Sequence, residues 1–222
     1  MNLRKTLLSG ILASSMALGG AVAFAQDSTP VAGDAEATPV GEITHLEGVP
    51  FYDADGILVA HAEIWEAVED DEEGVWFSIT GIDDANLTEG KYGVHVHETG
   101  VCDADSAFDT AGGHFNPTMS EHGDINADPS HAGDLGNLEV DEEGSFEHEV
   151  LAEGLTMLPG DSASLADDDG SAVIIHAGED DLETDPSGES GDRWACAVIF
   201  PPVEQQATPE ATPEDSDATP MS

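Results

Sequence analysis

Residues 93–134 read GVHVHETGVCDADSAFDTAGGHFNPTMSEHGDINADPSHAGD and contain five of the nine histidines of the chain. A carboxylate at the end of this segment and a histidine in a later apolar run complete a set of metal-binding side chains: His95, His97, His114, His122, His131, Asp134 and His176. Imidazole binds copper and zinc, and a mixed set of imidazole and carboxylate suits zinc. The segment therefore predicts a metal centre, with the rest of the chain as its scaffold.

The spacing of these residues strengthens the prediction. His95 and His97 are two residues apart in a strand-like run, so both rings project from the same face. Such a pair is weak evidence by itself, because half-buried strands carry histidines that bind nothing. The other loop ligands lie among Gly and Pro with few apolar side chains, and metal binding could supply the free energy that orders such a loop. Six histidines and a carboxylate exceed one four-coordinate site, but two metals that share one ligand would use them all.

Alternating apolar and polar residues predict an all-β fold. Residues 57–65 form one face with Leu58, Ala60, Ala62 and Ile64 and the other with Val59, His61 and Glu63. Further strands are predicted at residues 75–80, 92–97, 137–140, 145–151, 172–176 and 194–200. No run of ten or more residues has helical periodicity, so antiparallel strands joined by turns predict a sandwich or flattened barrel. The interrupting loop, about 98–135, is long enough to be expected to have a function.

The two ends of the chain differ in composition from its middle. Residues 1–25 carry Arg4 and Lys5, continue as an apolar run and end in Ala23-Phe24-Ala25, which predicts a cleaved signal peptide rather than a retained membrane anchor. Residues 26–41 predict a disordered acidic, Thr-Pro-containing linker, and residues 201–222 a disordered tail with a near repeat of Ala-Thr-Pro-Glu. Plain solvated disorder is favoured for both, with glycan attachment or a cell-surface spacer as alternatives. Residues 42–200 have the length of a single domain.

The chain is strongly acidic. All 48 acidic residues follow residue 25, whereas two of the four basic residues precede it, so the mature chain has a formal charge of 2 − 48 = −46. Nucleic acid and anionic membrane surfaces are therefore poor partners, and no membrane span is expected after signal cleavage. Adaptation to high salt and a heavily solvated exterior both fit this composition.

The sequence contains two cysteines, Cys102 and Cys196. An even pair in an exported chain predicts one disulfide. A zinc or redox role for two isolated cysteines is the weaker alternative.

Several motifs closely resemble those of copper/zinc superoxide dismutases, in the same order from about residue 48 to residue 200. They are Gly-Val-His-Val-His-Glu, Gly-Gly-His-Phe-Asn-Pro, Glu-His-Gly, His-Ala-Gly-Asp-Leu-Gly-Asn, Val-Ile-Ile-His-Ala-Gly and Gly-Asp-Arg-Trp-Ala-Cys-Ala-Val-Ile. Glu98-Thr-Gly-Val-Cys102 and Thr184-Asp-Pro-Ser-Gly resemble the bacterial, secreted type in particular. The fold that this resemblance implies is an eight-stranded Greek-key sandwich.

The resemblance also implies roles for individual residues. It makes His95, His97, His114 and His176 the copper ligands. It makes His114, His122, His131 and Asp134 the zinc ligands, with His114 as a bridging imidazolate. Asp180 matches the carboxylate that orients one histidine at each metal, and Arg193 matches the arginine beside copper that guides the anion. Cys102 and Cys196 match the family disulfide, which ties the metal loop to the last strand.

The function implied by the resemblance is that of an exported superoxide dismutase, which converts superoxide to oxygen and hydrogen peroxide by cycling copper between two oxidation states. Zinc would have a structural role. A non-enzymatic secreted copper/zinc-binding domain of the same fold ranks second, and an acidic surface or adhesion module with structural metals third. Residues 178–192, which correspond to the wall of the substrate channel, depart from the family because they contain no lysine. The sequence does not fix the oligomeric state, and a homodimer remains open.

The remaining histidines are expected to bind no metal. His45 is expected to be solvated at the start of the domain, and His61 to be exposed on its strand. His148 shares a face with Phe146 and Val150 and is expected to be a hydrogen-bonded core histidine. The acidic run 167–170 predicts a solvated turn rather than a calcium site, because the EF-hand spacing is absent.

Overall fold

The structure is a computed structural model that describes residues 43–67, 73–82 and 87–203. The predicted signal peptide (1–25), the linker (26–41) and the tail beyond residue 203 lie outside the described residues. In the described part of the chain, no helix is long and apolar enough to cross a membrane.

Eight antiparallel strands form the fold, which is the number that the family resemblance implies. They are β1 His45–Asp53, β2 Leu58–Ala67, β3 Gly74–Gly81, β4 Gly90–His97, β5 Asp134–Val140, β6 Glu147–Ala152, β7 Ser171–His176 and β8 Arg193–Phe200. Two short 3₁₀ turns, Ala104–Ser106 and Asp109–Ala111, lie in the long loop between β4 and β5. Seven strands lie within a few residues of their predicted ends.

The strand β1 was not predicted, because its sequence does not alternate clearly between apolar and polar residues. Of its nine residues only Val49 and Phe51 are buried, and Gly48 and Pro50 interrupt the run. Its pairing with β2 also contains two register shifts, and an irregularly paired strand does not keep the two-residue period that a sequence pattern needs.

The strand order is β5-β4-β7-β8-β1-β2-β3-β6, and the sheet closes almost into a barrel because β5 also contacts β6. The pairs β4–β7 and β3–β6 join strands that are distant in sequence, which requires the long crossing connections of a Greek key. The prediction of an all-β Greek-key sandwich or flattened barrel is confirmed.

The strands β4 and β7 are buried on both faces. The core covers one face, and the long loop between β4 and β5 covers the other. Val94, Val96, Val173 and Ile175 point into the main core. On the opposite face of β7, Ala172 and Ile174 pack with Cys196 of β8 and with Phe108 and Ala111 of the loop in a second apolar cluster. The loop therefore covers the outer face of the sheet where His95 and His97 lie.

The predicted disulfide between Cys102 and Cys196 is present, with a Cα–Cα distance of 5.7 Å. It joins the long loop to β8 and closes a sequence separation of 94 residues. A crosslink over such a separation removes much conformational freedom from the unfolded chain.

We expect the purified protein, alkylated without reduction, to contain no modified cysteine by mass spectrometry. Replacing both cysteines, C102S/C196S, should lower the free energy of unfolding by about 2–5 kcal/mol, because the unfolded chain regains the freedom that the crosslink removes. Urea unfolding of the metal-free protein measures this loss. Alkylation of Cys102 or Cys196 in most non-reduced molecules would contradict the assignment, and a reduced, denatured sample is the control.

Candidate metal centre

The seven residues predicted to bind metal come from four parts of the fold and are all buried. His95 and His97 lie on β4, and His176 ends the neighbouring strand β7. The long loop supplies three further histidines, and β5 begins with the carboxylate: His114, His122, His131 and Asp134. His114 also forms a β-bridge with His97, which brings the loop against the strand.

Four histidines form the first cluster: His95, His97, His114 and His176. One ring nitrogen of each lies within 4.8 Å of the others. Each ring also has a buried nitrogen with no hydrogen-bond partner in the described structure: Nδ1 of His95 and Nε2 of His97, His114 and His176. An unpartnered buried polar atom is costly, so four of them in one cluster indicate a ligand that takes all four lone pairs. A metal ion is such a ligand.

The opposite nitrogens of three of these rings are held by oxygen atoms. The distances are 2.7 Å from His95 Nε2 to Asp180 Oδ2, 3.0 Å from His97 Nδ1 to the Gly112 carbonyl, and 3.1 Å from His176 Nδ1 to the Gly191 carbonyl. Because these oxygens can only accept, the ring nitrogens facing them carry the protons. The lone pairs are thereby directed to the shared nitrogens of the cluster, which is how outer partners orient metal-binding histidines.

Burial keeps these rings neutral. It lowers the pKa of His95 to about 3 and that of His176 to about 4, and it also lowers the pKa of His97 well below its ordinary value. Metal ions compete with protons for imidazole, so low pKa values leave the nitrogens free to bind a metal at neutral pH.

Four side chains form the second cluster: His114, His122, His131 and Asp134. Asp134 Oδ1 lies 2.9, 3.1 and 3.2 Å from Nδ1 of His114, His122 and His131. His131 Nδ1 lies 3.3 Å from His114 Nδ1. A tetrahedron of ligands at zinc distances has edges of about 3.3 Å, so the spacing fits a tetrahedral zinc ion.

The Asp134 carboxylate is fixed by the loop around it. Its Oδ2 accepts the backbone N–H groups of Gly123 at 3.1 Å and His131 at 2.8 Å, which leaves Oδ1 for the histidines. Burial would raise the pKa of Asp134, but the hydrogen bonds to the three histidines hold it far below its ordinary value. The group is therefore an anion at every working pH, as a zinc ligand must be.

The two clusters share His114. Its Nδ1 belongs to the second cluster and its unpartnered Nε2 to the first. A ring nitrogen of His95 also lies within 4.8 Å of ligand atoms of His114, His122 and Asp134. The Nε2 of His95, however, is hydrogen-bonded to Asp180, so its unpartnered Nδ1 is the nitrogen that serves the first cluster. The structure therefore offers two groups of possible ligand atoms that share the His114 ring.

The Asp180 carboxylate contacts one histidine of each cluster. Its Oδ2 holds His95, while its Oδ1 lies 2.9 Å from His122 Nε2. Burial would raise the pKa of Asp180, but the hydrogen bonds from the two histidines lower it. Burial lowers the pKa of His122, but hydrogen bonds to Asp134 and Asp180 raise it to about 10, so a metal must displace a proton there. Gly188 is required beside this contact, because a Cβ at its position would collide with Asp180 Oδ1.

Arg193 lies beside the first cluster at the start of β8, opposite His176 in the strand register. Its Nη1 donates to the Phe108 carbonyl and its Nη2 to the Gly112 carbonyl, both at 2.5 Å. The Gly112 oxygen also accepts from His97, so the guanidinium and a cluster histidine share one acceptor. Arg193 is therefore fixed next to the cluster as a permanent positive charge.

Three further histidines and an acidic turn lie outside the two clusters. His45 and His61 are exposed, as expected, and His148 Nε2 donates to the Leu135 carbonyl at 3.0 Å, as expected, although His148 is half-buried rather than a core residue. Asp167 and Asp169 form a turn closed by a hydrogen bond from the Asp169 backbone N–H to the Asp167 side chain. Sequence reasoning missed the carbonyls of Gly112 and Gly191, because backbone oxygens carry no residue-type signal.

Comparison with known proteins identifies the family. A family model described as copper/zinc superoxide dismutase matches residues 66–199. Two copper/zinc superoxide dismutases of Aquifex aeolicus are each 42% identical to this chain over 105 residues. The matched part spans 62% and 61% of the lengths of these two relatives, which is less than two thirds. The superoxide dismutase-like protein YojM of Bacillus subtilis is 39% identical over 142 residues, covering 64% of this chain and 70% of that protein.

A solved structure gives the same result for the fold. The crystal structure of a double mutant of a superoxide dismutase-like protein from Bacillus subtilis matches with a TM-score of 0.61 at 37% identity, covering 69% of this chain and 98% of that one. The chain therefore belongs to the copper/zinc superoxide dismutase family, whose cofactors are copper and zinc.

Proposed function

We propose that this protein is an exported superoxide dismutase, which converts two superoxide anions and two protons to oxygen and hydrogen peroxide. The observation that carries the proposal is the set of four buried, unpartnered imidazole nitrogens beside an anchored arginine. When bound, copper would supply the one-electron redox chemistry, whereas zinc, which has no redox chemistry, would be structural.

The first cluster would hold copper through His95, His97, His114 and His176. The second would hold zinc through His114, His122, His131 and Asp134, and the tetrahedral spacing around Asp134 Oδ1 supports this choice. Asp180 would orient His95 and His122, one for each metal.

Arg193 would dock the superoxide anion. A guanidinium has five N–H donors, and the Phe108 and Gly112 carbonyls fix its position by engaging two of its nitrogens. Donors that remain free can bind a small anion next to the first cluster. Because the arginine is already anchored, little side-chain freedom is lost when the anion arrives.

Export is supported by the signal-like residues 1–25 and by the disulfide, because disulfides form and persist in oxidising compartments. The extracellular space, the cell surface and the periplasm all meet this condition. The single-domain boundary at residues 42–200 and a homodimer stay predictions.

A non-enzymatic copper/zinc-binding protein is the alternative. It is supported by the similarity to YojM, which is named superoxide dismutase-like. Measuring bound copper and zinc together with dismutation decides between the two functions. An enzyme needs both bound copper and turnover, whereas the alternative binds metal without turnover.

His176→Ala should abolish dismutation and copper binding at the first cluster while zinc remains bound. The substitution removes one nitrogen of the first cluster and none of the second. Metal analysis and an activity assay measure both effects, with the exposed histidine variant His61→Ala as the control. Full activity in His176→Ala would remove the copper assignment.

Asp180→Asn should lower zinc affinity about 10- to 100-fold and also weaken copper binding. An amide has one acceptor oxygen, so it cannot accept the ring N–H groups of both His95 and His122 as the carboxylate does. Competition with a chelator measures the affinities. Asp192→Asn, which removes an exposed carboxylate from the same loop, is the control, and equal affinities in the two variants would contradict the role of Asp180.

The second-order rate of the metallated enzyme should rise when inert salt is first added. Six carboxylates of residues 178–192 are exposed: Glu179, Asp181, Glu183, Asp185, Glu189 and Asp192. With the formal charge of −46 derived above, repulsion of superoxide should outweigh the attraction of Arg193 at low salt. Screening, over about 10 Å at 0.1 M salt, removes the distant repulsion first. A rate that falls steadily with salt would show that the local field of Arg193 and copper dominates.

A further inference from the structure

Asp185 lies against two of the proposed zinc ligands. Its Oδ1 accepts the backbone N–H of His122 at 2.9 Å. The same oxygen lies 3.8 Å from Nε2 of His131. One carboxylate oxygen on the loop between β7 and β8 therefore contacts both parts of the metal-binding loop that carry these histidines.

A histidine that binds a metal through one ring nitrogen needs a partner for the other nitrogen. Asp185 lies where it can be that partner for His131. Asp180 holds the outer nitrogen of His122, and His114 presents its second nitrogen to the first cluster. His131 uses Nδ1 in the second cluster, so its Nε2 faces outward, towards Asp185. When Nδ1 binds a metal, the neutral ring carries its proton on Nε2, which places an N–H group opposite the carboxylate.

The two contacts of Asp185 differ in strength. The hydrogen bond to His122 has a charged acceptor, which makes it stronger than a bond between neutral groups. At 3.8 Å the contact with His131 is electrostatic rather than a direct hydrogen bond, and solvent screens it because the Asp185 side chain is 57% exposed. The hydrogen bond therefore fixes the carboxylate, and the charge acts on the ring.

Local hydrogen bonds fix the backbone of Thr184, the residue before Asp185. The Asp181 side chain accepts the backbone N–H of Thr184 at 2.7 Å, and the Gly188 N–H donates to the Thr184 carbonyl at 2.6 Å. Glu183 is an exposed acidic residue of the same loop, and the contacts described for it involve its backbone N–H rather than its carboxylate. The loop thus offers a matched pair of carboxylates, one with the two metal-loop contacts and one without.

We propose that Asp185 is a positioning residue for zinc, which fixes the His122 segment and polarises the His131 ring so that both histidines bind the ion tightly. This inference rests on the proposed assignment of zinc to the second cluster. With Asp180, it gives the β7–β8 loop two residues that position the proposed zinc ligands.

The experiment compares D185A, D185N and E183Q in the full metallated protein. Zinc affinity is measured by competition with a chromogenic chelator, and the second cluster is also loaded with Co²⁺ to record its visible absorption. We expect D185A to lower zinc affinity about 10- to 100-fold and to shift the cobalt spectrum, with copper affinity unchanged. D185N should recover part of the loss, because its amide oxygen can accept from the His122 backbone, and E183Q should match the wild type.

Zinc affinity of D185A within twofold of the wild type would overturn the inference, as would an equal loss in E183Q or an equal loss of copper affinity. If D185A fails to fold, D185N decides alone: zinc affinity and a cobalt spectrum equal to the wild type would overturn the inference. Failure of the underlying assignment gives a different result, since the wild type itself would then bind no zinc.

Discussion

Every imidazole at the centre of this protein has two nitrogens, and a buried ring can aim one at a metal only if the other is satisfied. Each outer nitrogen in the first cluster faces an acceptor or the second cluster: Asp180 for His95, the Gly112 carbonyl for His97, the Gly191 carbonyl for His176 and the Asp134 site for His114. The fold supplies both the rings and the acceptors for their outer nitrogens. The strands place three rings side by side, and the two loops bring the oxygens to their outer edges.

The two loops depend on each other through the histidines. The β4–β5 loop carries three ligands but has few apolar side chains of its own, so its order comes from the disulfide, the small cluster around Phe108 and the polar contacts of the centre. The β7–β8 loop supplies Asp180 and Asp185, which contact ligands on the first loop. Because binding energy at a metal site is also folding energy, metal binding should order both loops together.

The sequence predicts which histidines cluster better than it predicts the oxygens that hold them. Histidine is uncommon enough that His-x-His and the spaced loop histidines stand out, and Cys102 and Cys196 leave one pairing. By contrast, β1 escapes detection because it buries only two of nine residues around Gly48 and Pro50. Asp185 shares its acidic character with Glu183 and Glu189 in the same loop, so acidity alone does not single it out. Only the path of the folded chain places its carboxylate against His122.

The Gly112 carbonyl has a consequence for how the centre assembles. It accepts from Arg193 and from His97, so the guanidinium and a ring of the first cluster depend on one peptide group. A displacement of that peptide would release both at once. Under the proposed function, a centre with an incomplete first cluster would thus also have a displaced Arg193. Under the proposed function, recruitment of the anion would thereby be linked to the integrity of the centre that consumes it.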